Sequence, residues 1–232
     1  LCARWLRPCR GPQHLGRRDT RGGWWRASRR LSGVEVLTLH KWALSLLRRR
    51  MTLLRVLPEA EAKALTVVAA SKVAPRPPQV KDGDILALLQ RAERRPATIP
   101  PDDWLLRVRE VFDRLCTSAG AVLLGAVFRL AAELLQRDGR LLAEVQSEVG
   151  HVLVDEAQDL DAAQLALLEL LRTGSSPVGI TAVGDPRQAI FGWRGAAPDT
   201  VQALEQRAQS TQRLGASPER GRRGARARSA LL

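Results

Sequence analysis

Two apolar runs in the second half of the chain are each followed by polar side chains that could do chemistry. The first run, residues 151–154, is followed by four groups able to hold a hydrated cation and orient a water molecule: Asp155, Glu156, Gln158 and Asp159. The second run, residues 178–183, leads into Gly184 and Asp185. Carboxylates at the carboxyl end of a strand lie where open α/β sheets bind ligands, and Mg²⁺ commonly uses one or two carboxylates together with phosphates.

The segment between the two apolar runs has the sequence pattern of a helix, which indicates how the two runs are arranged. Asp161 can cap a helix that Gly174 can end, and leucines at helical spacing form one stripe of it: Leu165, Leu168 and Leu171. A strand, a helix and a second strand joined by short loops form a βαβ unit, which predicts a parallel sheet. The structural alternative is an ordinary strand followed by a capped helix. The stretch GDPRQAIFGWRGA, at the expected distance after DEAQD, favours a functional site instead.

Together, DEAQD and GDPRQAIFGWRGA closely resemble motifs II and III of the UvrD/Rep family of superfamily 1 DNA helicases. The resemblance implies that ATP and Mg²⁺ are the cofactors and that Asp155 binds the metal. It also implies that Glu156 is the general base that polarises the attacking water. Gln188 would sense the γ-phosphate and couple it to DNA.

The resemblance extends to the residues that follow Gln188. Phe191 and Trp193 would lie against bases of single-stranded DNA, which any base permits through its π-face. Arg194 would link this loop to phosphate or to the acidic cluster. The structural alternative for the aromatic pair is core packing, but the flanking GDPRQ and RGA favour stacking on bases.

A further match lies upstream, where residues 34–39 alternate as in a strand and an amphipathic segment follows. The sequence Thr38-Leu39-His40 resembles the family's T-x-H motif, which touches the DNA backbone through Thr38 and His40. The alternative for these two side chains is a helix cap and a local hydrogen bond.

Helical spacing of apolar residues dominates the stretch between residues 58 and 150, and the resemblance implies that this is a subdomain inserted into the motor domain. One predicted helix follows the cap-like Pro101-Asp102 and carries one apolar face: Trp104, Val108, Val111 and Leu115. We expect an α/β fold in which a partial RecA-like parallel sheet of the P-loop NTPase type carries a helical insert. The expected parts are a tail (1–30), a strand and helix with the DNA-contact motif (31–57), the insert (58–150), the RecA-like core with motifs II and III (151–212) and a second tail (213–232).

No phosphate-binding loop occurs in the sequence. None of the four lysines follows a glycine or precedes Ser or Thr: Lys41, Lys63, Lys72 and Lys81. The family holds the β- and γ-phosphates with such a loop, so we expect that this chain alone does not turn over ATP. We also expect the missing loop strand to leave backbone groups of the sheet unpaired. The chain begins at Leu1 and its only methionine is Met51, which is expected of the middle of one motor domain.

The net charge of +13 comes entirely from the two ends of the chain. Residues 1–30 hold nine arginines against Asp19, and residues 213–232 hold six against Glu219, with no lysine in either segment. Neither segment has the periodicity of a helix or a strand, so we expect disordered tails. Their composition is typical of translated GC-rich non-coding or frame-shifted DNA, and the alternative is a basic arm for nucleic acid.

Three functional hypotheses follow. The first is a fragment of an ATP-dependent DNA helicase that couples hydrolysis to translocation and unwinding, with single-stranded and duplex-junction DNA as partners. The second is a non-catalytic single-stranded DNA-binding module, and the third is a non-functional remnant or truncated gene model. The longest stretch free of both charged and polar side chains, residues 119–128, is too short to cross a bilayer, so we expect no membrane partner. The expected location is intracellular, in the cytoplasm of a prokaryote or in the nucleus or an organelle of a eukaryote.

Overall fold

Eight strands and eight helices lie in the part of the chain that the structure, a computed structural model, describes. That part comprises residues 2–6, 34–51, 53–94, 103–174, 176–188, 200–214 and 227–231. The strands are β1 (Cys2–Leu6), β2 (Val34–Thr38), β3 (Arg55–Val56), β4 (Ala121–Val122), β5 (His151–Val154), β6 (Gly179–Gly184), β7 (Ser210–Leu214) and β8 (Ala227–Leu231). The helices are α1 (Leu39–Arg48), α2 (Glu59–Ser71), α3 (Asp82–Arg94), α4 (Trp104–Ser118), α5 (Val127–Arg137), α6 (Gly139–Glu148), α7 (Ala162–Leu171) and α8 (Thr200–Arg207). Short 3-10 helices are Leu124–Ala126, Ala157–Asp159 and Pro186–Gln188.

The first of two compact units contains the main sheet. This unit is made of Leu1–Leu39, Leu135–Leu160 and Leu168–Leu232, and its six strands have the order β2-β1-β5-β6-β8-β7. β5 and β6 are parallel, as the βαβ pattern predicts, and every other neighbouring pair is antiparallel. The prediction of a parallel sheet is therefore correct for the central pair and wrong for the sheet as a whole, which is mixed.

We expected residues 1–30 and 213–232 to be tails without regular structure, and this is wrong where the structure describes the strands β1 and β8 within them. β1 lies between β2 and β5, and β8 lies between β6 and β7. Both β5 and β6 therefore have hydrogen-bonded neighbours on each side, where we expected unpaired backbone groups. The physical reason is that an open strand edge presents a row of N–H and C=O groups, and any extended segment can pair with it. Antiparallel pairing imposes no helical crossover on that segment.

One face of the central pair forms the core of this sheet. Val152 and Val154 of β5 and Ile180 and Ala182 of β6 are buried, whereas the intervening residues are only partly buried. The second face of β5 is half-exposed, although its run of consecutive apolar residues is typical of a strand buried on both faces. His151 lies on that second face, where its Nε2 is 2.8 Å from Thr181 Oγ1.

The helix between β5 and β6 begins as the sequence predicts. The Asp161 carboxylate accepts a hydrogen bond from the Gln164 N–H at 2.8 Å, and the Asp161 N–H donates to the Gln164 side chain at 3.0 Å. This reciprocal arrangement is a capping box with Gln at the third helical position. Gly174 follows the helix with a φ of +91°, a conformation that glycine adopts without steric cost.

The second unit, His40–Leu134 and Asp161–Leu167, is mainly helical. The core of this unit is formed largely by buried residues of α2, α3 and α4, which include Ala62, Ala69, Ile85, Leu89, Trp104, Val108, Phe112 and Cys116. The last four recur every four residues along α4, so the predicted face is confirmed at Trp104 and Val108. Beyond them the buried positions are Phe112 and Cys116, and the predicted Val111 and Leu115 are only partly buried. The cap of α4 is Asp103, whose side chain accepts the Leu105 N–H at 2.8 Å, and not the predicted Pro101-Asp102 pair, which lies outside the described residues.

A charged network joins three helices of the second unit. Arg129 of α5 donates to both carboxylate oxygens of Glu93 at 2.6 and 3.1 Å, and also to Asp113 at 2.7 Å and Glu133 at 2.8 Å. Glu93 is only 2% exposed. Burial raises the pKa of the Glu93 and Asp113 carboxyls above their usual values, although Arg129 opposes the shift. One guanidinium therefore compensates carboxylates from α3, α4 and α5.

Candidate functional site

The carboxyl ends of three strands emerge at one edge of the main sheet. β5 and β6 are parallel, with Val154 opposite Ala182. β2 runs in the same direction as β5, because β1 is antiparallel to both; Thr38 lies opposite Cys2, and Val154 lies opposite Ala3. Two strand spacings, or about 10 Å, separate β2 from β5. The candidate DNA-contact residue Thr38 and the candidate metal ligand Asp155 therefore leave the sheet at the same edge.

The loop after β5 has an unusual backbone at Glu156. This residue has φ 54° and ψ 44°, and it is the only non-glycine residue with a positive φ in the described part of the chain. Such a conformation costs about 1–3 kcal/mol and is found mainly where a site requires it. The Asp155 carboxylate accepts the Glu156 N–H at 3.1 Å, and both side chains are exposed. The two predicted catalytic carboxylates thus project from a tight turn at the end of β5.

Gln158 connects this loop to the loop after β6. Its side-chain N–H donates to Glu156 Oε2 at 2.6 Å, and its side-chain oxygen accepts the backbone N–H of Asp185 at 3.1 Å. The residue is 2% exposed. We predicted that Gln158 could help to hold a cation or a water molecule, but its amide is committed to these two partners inside the protein. The structure therefore brings the DEAQD and GDPRQ loops together through this side chain.

The Asp185 carboxylate organises the second loop. It accepts the Arg187 N–H at 3.0 Å and the Gln188 side-chain N–H at 3.3 Å, while the Asp185 carbonyl accepts the Gln188 N–H at 2.9 Å. The backbone N–H of Arg187 lowers the pKa of the Asp185 carboxyl below its usual range, with help from the Gln188 side chain. These bonds begin the short helix Pro186–Gln188 and fix the base of the exposed Gln188 side chain.

Asp159 differs from its neighbours in the acidic cluster. Its Oδ1 is buried and has no hydrogen-bond partner among the described residues. Burial raises the pKa of the Asp159 carboxyl, and the nearby Glu156 charge adds to the effect. The two exposed carboxylates, Asp155 and Glu156, remain as the groups that can face a ligand.

The residues at this edge include carboxylates that could hold Mg²⁺ together with phosphates. No group of three or more His, Cys, Asp or Glu side chains arranged for a metal occurs among the described residues. Mg²⁺ usually keeps several waters and takes one or two carboxylates plus substrate phosphates. Asp155, exposed at the end of a parallel strand, is a carboxylate of that kind.

The candidate DNA-contact residues are only partly covered by the described ranges. His40 lies in the first turn of α1, where its ring packs edge-on against Phe128 with centroids 4.5 Å apart. Phe191, Trp193 and Arg194 lie outside the described residues. Their roles stay predictions from the sequence.

Sequence reasoning missed two residues of the site, Gln158 as a bridge and Asp185 as an anchor. Asp185 carried a signal, because an Asp directly before Pro is typical of a turn in which the carboxylate accepts backbone N–H groups. Gln158 carried none, because its two partners become neighbours only when β5 and β6 pair. Its burial could not be read from the polar run DEAQD.

The chain is similar to known helicases over a limited stretch. It is 32% identical over 103 residues to DNA helicase II of Escherichia coli strain K12, and this match covers 44% of this chain and 14% of that protein. It is 31% identical over 100 residues to DNA helicase II of Haemophilus influenzae, covering 43% of this chain and 13% of that protein. It is also 40% identical over 73 residues to ATP-dependent DNA helicase Rep of E. coli K12, and this match covers 32% of this chain and 10% of that protein. The chain therefore spans between a tenth and a seventh of the length of these relatives.

A family model agrees with the motifs over a longer range. The model of the UvrD/REP helicase N-terminal domain matches residues 10–209, which include part of the segment that we assigned to the first tail. No helix in the described ranges has the length and apolar character that a membrane span needs. Because the match takes in most of the chain, together with the DEAQD and GDPRQ loops at one sheet edge, the chain belongs to the UvrD/REP helicase N-terminal domain family.

Proposed function

We propose that this chain supplies the water-activating and DNA-coupling part of an ATP-dependent DNA helicase. The observation that carries the proposal is the bridge through Gln158, which joins the Glu156 carboxylate to the loop that holds Gln188. In the proposal Glu156 polarises the attacking water as general base, and Asp155 holds Mg²⁺. Mg²⁺ would neutralise charge on the β- and γ-phosphate oxygens. Gln188 would sense the γ-phosphate, with Arg194 linking its loop to phosphate or to the acidic cluster.

The DNA side of the proposal rests on three strand ends at one sheet edge. Thr38 leaves β2 at the edge where Asp155 leaves β5, so a strand of DNA touching Thr38 would run close to the nucleotide. Phe191 and Trp193 would stack on its bases. This arrangement supports single-stranded and duplex-junction DNA as the partner.

Turnover requires phosphate-binding groups that the sequence of this chain does not supply. None of its four lysines lies in a Gly-Lys-Thr or Gly-Lys-Ser context, so the positive charge that holds the β- and γ-phosphates must come from elsewhere. We therefore expect ATP hydrolysis only when this segment is joined to such a loop. The same observation favours a second candidate function, a single-stranded DNA-binding module without hydrolysis.

Trp193→Ala tests DNA binding directly. Stacking of one base on an aromatic side chain is worth about 1–3 kcal/mol, so the variant should bind single-stranded DNA roughly 5- to 150-fold more weakly. Fluorescence anisotropy with a labelled oligonucleotide of mixed sequence measures the affinity. The control is Leu53→Ala, which shortens an exposed apolar side chain outside both motifs and both tails and should change the affinity little. Equal affinities of wild type and Trp193→Ala would remove the stacking role, and no binding by wild type would leave the remnant hypothesis.

A further inference from the structure

A continuous hydrogen-bonded path links the two loops of the site. Glu156 Oε2 accepts from Gln158 at 2.6 Å, the Gln158 side-chain oxygen accepts the Asp185 N–H at 3.1 Å, and Asp185 Oδ2 accepts from the Gln188 side chain at 3.3 Å. The path thus runs from the candidate general base to the candidate γ-phosphate sensor. Gln158 is its only member that belongs to the first loop and reaches the second.

The backbone on both sides of Gln158 is adapted to this bridge. The left-handed conformation of Glu156 turns the chain tightly, and the carboxylate of Glu156 accepts a hydrogen bond from the residue two positions later. Across the strand pair, a Cβ atom added to Gly184 would lie 2.5 Å from the Gln158 side-chain oxygen and 3.1 Å from the Ala157 N. Any larger residue at 184 would push the β6 end away from the loop. Gly184 therefore permits the close approach that the bridge needs.

A second buried glutamine of the same unit shows what a purely structural role looks like. Gln146 of α6 donates to the carbonyls of Leu171 and Thr173, so both of these bonds go to backbone acceptors at the carboxyl end of α7 and just beyond it. Gln158 differs, because its donor goes to the carboxylate of an exposed residue. Burying a glutamine amide requires partners, but it does not require that one of them be the candidate general base.

We propose that Gln158 is a positioning residue that orients the Glu156 carboxylate and couples it to the Asp185–Gln188 loop. This role of Gln158 rests on the proposed function. When a ligand phosphate moves Gln188, the displacement would be transmitted through Asp185 and Gln158 to the water-activating carboxylate. The amide of Gln158 suits this task because it donates at one end and accepts at the other. A carboxylate or an apolar side chain of similar size cannot do both.

Nuclear magnetic resonance of the 232-residue chain tests the coupling without any need for turnover. Gln158→Leu removes both bonds, so exchange of the Asp185 amide hydrogen should accelerate about tenfold. The Glu156 side-chain carboxyl resonance and the Gln188 side-chain amide resonances should shift as well. Gln158→Glu keeps an acceptor for Asp185 but loses the donor to Glu156. It should retain slow exchange at Asp185 and shift the Glu156 resonance.

Gly184→Ala and Gln146→Leu complete the test. Gly184→Ala displaces the Gln158 side-chain oxygen and should reproduce the effects of Gln158→Leu. Gln146→Leu removes a buried glutamine of equal size and should leave the Asp185, Glu156 and Gln188 signals unchanged. Unchanged signals in Gln158→Leu, or the same changes in Gln146→Leu, would overturn the proposal. Since none of these readouts depends on hydrolysis, a lack of ATP turnover in a form of the protein joined to a phosphate-binding loop would count against the proposed function alone.

Discussion

Glu156→Gln is expected to reduce ATP turnover roughly 10²- to 10⁴-fold in a form of the protein in which this segment is joined to a Gly-Lys-Thr or Gly-Lys-Ser loop. The physical reason is that glutamine has the shape of glutamate but cannot accept a proton from the attacking water. Its side-chain oxygen can still accept the Gln158 hydrogen bond, so the turn after β5 should keep its conformation. Nucleotide affinity should therefore change little, because the loss is confined to the hydrolytic step.

Single-turnover hydrolysis and equilibrium nucleotide binding separate these two effects. The matched control is Glu144→Gln, a half-exposed carboxylate on α6 that interacts with Arg140. It should leave both the hydrolysis rate and nucleotide affinity unchanged. Turnover that survives in Glu156→Gln would show that another group activates the water and that the role of Glu156 is misassigned.

Arg129→Leu is expected to destabilise the second unit by about 3–5 kcal/mol. The substitution removes the cation that Glu93, Asp113 and Glu133 share, and leaves Glu93, 2% exposed, without its charge partner. A buried carboxylate without a partner either remains ionised at a high desolvation cost or takes up a proton. Typical domain stability is only about 5–15 kcal/mol, so a loss of this size would remove much of it.

Urea unfolding followed by circular dichroism measures the change. Lys63→Met is the matched control, because Lys63 also pairs with a glutamate, Glu59 at 2.8 Å, but on the exposed face of α2. An exposed pair of this kind contributes little, so the unfolding midpoint should stay close to that of wild type. If Arg129→Leu unfolded at the same urea concentration as Lys63→Met, the buried network would not hold α3, α4 and α5 together.

The central strand pair and its loops could be predicted from local patterns. Apolar runs at 151–154 and 178–183, the cap at Asp161 and the end at Gly174 all depend on residues close in sequence, and the structure has β5, α7 and β6 there. The family resemblance carried by DEAQD and GDPRQAIFGWRGA is likewise local, and the family model confirms it.

The strands that complete the sheet could not be predicted in the same way. Cys2–Leu6 and Ala227–Leu231 show little alternation and lie in the arginine-rich segments 1–30 and 213–232, whose composition favoured disorder. They become strands because β5 and β6 would otherwise present unpaired backbone N–H and C=O groups. These groups can be identified only once the pairing of β5 with β6 is known. Their antiparallel direction also follows from that sheet and not from their own sequences.

Long-range polar contacts were equally hidden from the sequence. Arg129 finds Glu93 across 36 residues and Asp113 across 16, whereas charged residues on helices are usually assigned to solvent. The Gln158 side chain reaches Asp185 across 27 residues in a similar way. Side chains of this kind acquire their roles from packing, so a local pattern can suggest the loop but not the bond that organises it.

The most direct test of the central claim is ATP hydrolysis with and without single-stranded DNA, measured on a form of the protein that joins this segment to a phosphate-binding loop. If the DEAQD and GDPRQ loops form one hydrolytic and DNA-coupled site, DNA should raise the hydrolysis rate at least tenfold, which corresponds to about 1.4 kcal/mol in the activation barrier. Hydrolysis that proceeds at the same rate with and without DNA, or no hydrolysis at all, would contradict the account.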